Sequence, residues 1–447
     1  MKSITNGHDK HATSDGEAHH TRFPLSNFPP QAGERANESL RELLVKCLWL
    51  APLFLLVFTQ PAYAFYTWQD DQSTVELRGL FRETGVVLSN PDNTQFYDRK
   101  NISAMAQSAR LMLDASQDRL SFELHAEQSY VPLELQTGGA RFASLLGVER
   151  SDLLDWSFDN KQAHLILDRL NVQLSTEHMN IKVGRQPINL AATFYFTPND
   201  FFAPFAAQTF FRTYKSGVDA ARADIQLNEL SQLSLLAVLG YNNAASDNGW
   251  SNTPDSARNS YLARASTTLG DFELALLGGI LKKDVVLGGD FQGELFHWLG
   301  VNGEGHVLQP DSVLLSRTTE FALGLEHRFA NTLNVRLEQF YHGSGAASIA
   351  TYNLAAPKSK GYLSKNYSAL GASYEFTPLL NGEATTIYNW LDHSALIALN
   401  TRYSFSNESE LTFSGTHPIG SGPQGSLVQS EFGLYADSIN FEYRMNF

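Results

Sequence analysis

One cysteine occurs in 447 residues, Cys47. Disulfides within the chain, thiolate metal sites and haem attachment through C-x-x-C-H are therefore excluded. Charge is also scarce, 18 % of residues against about 25 % in soluble domains. Basic residues are the minority, 33 Lys and Arg against 47 Asp and Glu, for a net charge of −14. No cluster of Lys and Arg interrupts this acidity, so the phosphate contacts that nucleic acid demands have no source. After residue 64 no apolar run approaches the about 20 residues of a membrane-spanning helix. Length allows one large domain or two to three ordinary ones.

Aromatics, by contrast, are plentiful, with 29 Phe and 17 Tyr. The longest apolar run, residues 47–58, lies near the start. Arg41 and Lys46 precede it, and the small-x-small triplet Ala62-Tyr63-Ala64 follows. That is the three-part layout of a secretory signal cleaved after Ala64, and Cys47 would leave with it. Residues 1–40 are polar and unpatterned. A signal normally begins its chain, so this extension is expected to precede the true start, near residues 43–45.

The remainder, 65–447, reads as strands throughout. Short segments alternate with period two between Asn, Gly, Asp and Ser. In "RLSFELHAE", Leu120, Phe122, Leu124 and Ala126 oppose Ser121, Glu123, His125 and Glu127. In "TTEFALGLEHRF", Phe321, Leu323 and Leu325 oppose Glu320, Gly324, Glu326 and Arg328. Such alternation marks strands with one apolar and one polar face. A sandwich buries the apolar faces together; a transmembrane barrel turns them to lipid and surrounds an aqueous lumen with the polar ones. The signal, the size and the aromatics near segment ends favour an all-β, antiparallel transmembrane barrel, which satisfies every backbone polar group within lipid.

Eighteen strands are read: 74–86, 103–114, 119–130, 163–174, 178–186, 217–228, 231–242, 259–269, 271–282, 284–294, 296–307, 317–329, 332–342, 366–377, 384–391, 394–405, 409–417 and 434–447. Loss of one hairpin would give sixteen. Short connections fall on one side; the long ones, 87–102, 131–162, 187–216, 243–258, 343–365 and 418–433, fall on the other.

The chain ends "INFEYRMNF", with Ile439, Phe441, Tyr443, Met445 and Phe447 alternating with Asn440, Glu442, Arg444 and Asn446. This resembles the C-terminal sorting signal of Gram-negative outer-membrane barrels, carried here by Phe441, Tyr443 and Phe447. The layout from residue 65 onward resembles porins. Within it, residues 183–205, "VGRQPINLAATFYFTPNDFFAPF", are similar to a stretch in a group of porin-like proteins patterned Gly-Arg-Gln, then often Trp-Gly, then Pro-x-Asp-x-Phe. Gly184, Arg185, Gln186, Pro198, Asp200 and Phe202 match; Leu190-Ala191 stands near the place of Trp-Gly. The resemblance implies a channel in the outer membrane, amid lipid and lipopolysaccharide, inserted by the barrel assembly machinery and passing small solutes. It also brings a homotrimer to mind, since such channels commonly trimerise. No cofactor is required.

In porins the loop at 187–216 folds into the lumen. Nine aromatics lie between 194 and 214: Phe194, Tyr195, Phe196, Phe201, Phe202, Phe205, Phe210, Phe211 and Tyr214. A loop in water does not normally carry so many, and packing against the inner wall accounts for them. Arg185, Gln186, Asp200, Arg212 and Lys215 are the candidate constriction, with Lys182 and Arg222 adding charge from the wall. Charges on a narrow ring would set ion selectivity; the simpler reading is that Arg185 and Asp200 pair with each other to pin the loop. Both readings are compatible.

Enzymatic readings are weaker. His342-Gly343-Ser344 resembles the start of the His-x-Ser-Asn run of outer-membrane phospholipase. Gly345 replaces the Asn, and parity puts His342 on the polar face. A Ser–His pair also needs an orienting third group, and the sequence places none. Asp392-His393-Ser394 are adjacent and read as a turn. His297 and His306 are unsupported as metal ligands. The leading expectation is a passive diffusion channel for small hydrophilic solutes or ions. A barrel sheathing a partner such as a cytochrome is the alternative, and an outer-membrane hydrolase the third.

Overall fold

The computed structural model describes residues 66–447 except 139–153, 206, 208, 210–213, 243–252, 313 and 355–360. The extension, the signal with Cys47, and Arg212, Phe210 and Phe211 lie outside the described residues. Twenty strands follow in chain order. They are β1 (Tyr66–Gln69), β2 (Ser73–Ser89), β3 (Asn101–Gln117), β4 (Leu120–Tyr130), β5 (Asp155–Phe158), β6 (Ala163–Ser175), β7 (Met179–Gln186), β8 (Val218–Asn228), β9 (Ser231–Val238) and β10 (Ser260–Leu269). Then come β11 (Phe272–Leu281), β12 (Asp284–Leu295), β13 (Leu299–Gln309), β14 (Thr318–Arg328), β15 (Asn334–His342), β16 (Asn366–Thr377), β17 (Leu380–Asn389), β18 (Ala395–Ser404), β19 (Ser409–Ile419) and β20 (Asp437–Asn446).

Eighteen of these close into one antiparallel ring, each expected strand finding its counterpart. Hydrogen bonds run from β2 through β3, β4 and β6 to β20, and the ring shuts where Leu80–Ser89 of β2 pair with β20. Sixteen is thereby ruled out. The two further strands are four residues each, too short for an alternating pattern to declare them. β1 lies on the same edge of β2 as β20, pairing at Thr74–Leu77. β5 pairs with the start of β6, at Ala163–Ile166.

Outward residues are apolar and bare: Leu276 is 72 % exposed and Leu287 67 %. An apolar belt this continuous is what lipid would cover. Ile439 and Phe441 of the closing strand join it, whereas Met445, opposite Phe81, is buried. Phe447 exchanges backbone hydrogen bonds with Gly79, where any Cβ would strike its ring.

The inner face is not uniformly polar. Leu236 of β9, Leu262 of β10, Leu277 of β11 and Val286 of β12 are buried with Ile188, Leu190 and Phe202. Phe340 of β15, Tyr367 of β16, Ile387 of β17 and Leu396 of β18 are buried with Tyr195 and Phe196. Ile188 to Phe202 all belong to the connection 187–217, so apolar residues point inward where that loop packs. This is why "LALLGGIL" in β11 departs from clean alternation.

Candidate functional site: a loop that crosses the barrel

β7 stops early. Its pairing with β6 ends at Leu170 opposite Arg185, and β5 occupies the edge of β6 further along. Gly184 has φ +121°, and a Cβ there would lie 2.2 Å from the carbonyl oxygen of Leu170. Only glycine fits, and the wall strand gives way to the loop two residues later.

Arg185 stands at that departure point and is 1 % exposed. Its Nε donates to Asp219 Oδ1 at 2.9 Å and its Nη2 to Asp219 Oδ2 at 3.1 Å, a two-pronged pairing. Nη1 donates to Asp155 Oδ1 at 3.3 Å and to the Leu167 carbonyl at 3.2 Å. β5 thus delivers the second carboxylate. Gln186 is equally buried and donates to the Ala220 carbonyl at 3.0 Å.

The loop's return limb is held by a second buried ionic group. Asp168 on β6 accepts from Arg110 at 2.8 Å, from Arg169 at 2.7 Å and from the Gly217 N–H at 3.0 Å. Arg169 Nη2 donates to the Lys215 carbonyl at 2.5 Å, and the Lys215 ammonium pairs with Asp200. The Arg110 guanidinium lies over the Tyr214 ring, 4.7 Å from its centre. Asp200 is 3 % exposed and Lys215 7 %.

Between these limbs the loop reaches the opposite wall. β7 is the fifth strand of the ring and β15 the thirteenth, eight of eighteen strands on, close to half the circumference. Two lumen-facing carboxylates receive the chain there. Glu304 on β13 accepts the backbone N–H groups of Ala192, of Thr193 at 3.0 Å and of Asn199 at 2.9 Å. Glu338 on β15 accepts those of Phe194 at 2.6 Å, Tyr195 at 2.8 Å and Phe196 at 3.0 Å. Phe196 stacks on Phe340 with ring centres 5.0 Å apart and planes 11° apart. The Arg336 guanidinium sits 4.2 Å from the Phe194 ring centre. Tyr195 runs on to Thr385 of β17, over Gly371.

Four of the five candidate constriction residues are therefore described, and all four are buried partners at the loop's root. The expected pair is replaced, Arg185 binding Asp219 and Asp155, and Asp200 binding Lys215, because each meets a nearer partner, on the wall for Arg185 and on the return limb for Asp200. Glu304, Glu338, Asp168, Arg169, Asp155 and Asp219 complete the arrangement and were not singled out by sequence reasoning. Their only sequence signal is a charge at an inward position, which every solvated wall carboxylate shares. Among the described residues, no group of three or more His, Cys, Asp and Glu could hold a metal ion. Asp392 and Ser394 lie in the turn after β17, Ser394 Oγ donating to Asp392 at 2.6 Å.

The architecture is a closed barrel of eighteen antiparallel strands with an inward loop. No family model matches the chain, and no curated protein sequence matches it. Solved structures do. OccAB4 of Acinetobacter baumannii superposes with a TM-score of 0.53 at 10 % identity, over 84 % of this chain and 99 % of that one. A BenF-like porin from Pseudomonas fluorescens Pf-5 gives 0.53 at 12 %, over 83 % and 98 %. OccAB1 of Acinetobacter baumannii gives 0.52 at 12 %, over 83 % and 96 %. At these identities the likeness is one of fold.

Proposed function

We propose that this protein is a porin-like channel of the Gram-negative outer membrane, passing small hydrophilic solutes or ions by passive diffusion. The observation that carries the reading is the loop fixed on both sides of the lumen, which narrows the interior without a moving part. Part-exposed ion pairs line the wall, among them Arg78 with Asp114, Arg402 with Glu410, Arg264 with Glu273 and Arg336 with Glu326. Arg185 and Asp200 act on permeation by holding the loop; their own charges are spent on buried partners. A sheath for a threaded partner is disfavoured by the same loop, which occupies the path. The solved porins of like fold support the channel, as do the apolar exterior and the terminal Phe447 with Phe441 and Tyr443 as insertion signal. Cleavage after Ala64 and arrival in the outer membrane belong to the same reading. Planar-bilayer recording of the purified barrel tests it: discrete steps with a reproducible ion preference are expected, and a silent folded barrel would refute it.

A further inference from the structure

At the wide-loop end, three side chains of β14, β15 and the turn beyond them form a chain of hydrogen bonds outside the loop's moorings. Glu320 and His342 are directly paired across β14 and β15. His342 Nδ1 lies 3.0 Å from Glu320 Oε1. Ser344 Oγ lies 3.1 Å from His342 Nε2. A carboxylate only accepts hydrogen bonds, so it fixes the proton on Nδ1 and leaves the Nε2 lone pair facing the serine hydroxyl. The third group absent from the sequence reading is thus present, supplied by the neighbouring strand.

Burial and rigidity distinguish this set from a chance cluster on a flexible loop. His342 is 3 % exposed and Glu320 4 %, while Ser344 is exposed. The turn is fastened on both sides. His342 N donates to the Lys365 carbonyl at 2.7 Å, Gly343 N to Thr319 at 2.8 Å and Gly345 N to His342 at 3.0 Å. A Cβ at Gly343 would come within 2.6 Å of Thr319 O, and one at Gly345 within 2.2 Å of Ser364 O. The two glycines let neighbouring backbone close around a serine held at the tip. Among the described residues the Ser344 backbone N–H donates to nothing, which leaves it available to an oxyanion.

We propose that Glu320, His342 and Ser344 form a serine acyl-hydrolase site at the channel mouth, acting on small water-soluble carboxylic esters. Ser344 Oγ attacks the ester carbonyl carbon as its proton passes to His342 Nε2. The tetrahedral adduct collapses, the C–O bond to the alcohol breaks, and the leaving oxygen takes the proton from Nε2. Water then attacks the acyl-serine along the same proton route, releasing the carboxylic acid and restoring the hydroxyl. Glu320 accepts from Nδ1–H and orients the ring, a positioning role. The substrate is soluble because His342 shares the inward parity of Arg336 and Glu338. Phospholipid on the barrel's outer face would not meet the serine.

The test uses the purified, folded barrel, its fold verified by heat-dependent gel mobility and by conductance. A fluorophosphonate probe is expected to leave one adduct, mapped by mass spectrometry to Ser344, and p-nitrophenyl acetate is expected to be hydrolysed. S344A, an exposed tip change, should abolish the adduct and lower hydrolysis at least about 100-fold with conductance unchanged. E320Q should lower kcat about 10-fold or more with KM held. A folded wild-type barrel that takes no adduct at Ser344 overturns the proposal, as does S344A hydrolysing at the wild-type rate. An E320Q loss that appears only in KM and thermal midpoint overturns the triad. Hydrolysis of vesicle phospholipid in place of the soluble ester overturns the substrate class.

Discussion

The loop's two attachments are built from different chemistry. At the root, on β3, β5 to β8 and the loop's own limbs, ion pairs dominate: Arg185 with Asp219 and Asp155, Arg110 and Arg169 with Asp168, Lys215 with Asp200. At the far wall, on β13 to β17, side chain meets backbone: two carboxylates gather six N–H groups, and aromatic rings stack beside them. The root fixes where the chain leaves and returns, since ion pairs specify their residues. The landing fixes the shape of the crossing segment, because N–H groups converging on one carboxylate allow few backbone paths. Loop sequence could vary at the landing while the two glutamates stay essential; at the root it could not.

The largest effect is expected from removing the landing. E304A with E338A deletes the acceptors of six charge-assisted bonds, each about 1.5–3 kcal/mol. The crossing segment should detach and single-channel conductance rise several-fold; unchanged conductance would mean that the loop does not narrow the path. R185A should cost about 3–5 kcal/mol, since the Asp155 side chain is left buried and Asp219 part-buried without their cation. Thermal unfolding should register it strongly, and conductance less than in the double variant. The reverse order would invert the roles given to the two walls. G371A should cost about 1–3 kcal/mol through overpacking, because its Cβ would fall 1.6 Å from Tyr195 Oη. Altered noise in single-channel traces, with a thermal-midpoint loss smaller than that of R185A, is the expected signature.

The smallest effect lies at the rim, away from both walls. Burial pushes the Tyr97 phenol up to about 12, and its hydroxyl donates to the Leu434 carbonyl. The folded value exceeds the unfolded one of about 10, so this contact contributes fully below pH 10 and is lost as pH rises through 12. Y97F should remove about 1 kcal/mol below pH 10. It should also delete one late-titrating tyrosine from the absorbance titration at alkaline pH.

Strand number and the long-loop side were legible because alternation is a local signal. β11 shows the limit: Leu277 points inward and is apolar, since a remote loop covers it. The loop's inward fold was legible from its aromatics. Which wall would receive the loop was not. Glu304 and Glu338 lie more than 100 residues from the N–H groups they accept, and neither differs in sequence from a solvated wall carboxylate. Glu320 escaped for a nearer reason. It faces His342 only through the β14–β15 register, which the short turn "ANT" could have been used to count out.

A chord tied at both ends changes the mechanics of a hoop. An empty barrel of eighteen strands can flatten into an ellipse by small changes in strand tilt. With the segment from Arg185 to Phe196 strung between β7 and β15, flattening along that diameter buckles the chord, and widening along it strains the glutamate contacts. The cross-section is braced along one axis and compliant along the other. Lateral pressure from a surrounding bilayer would therefore reach the opening as a directional squeeze, felt most on the unbraced walls.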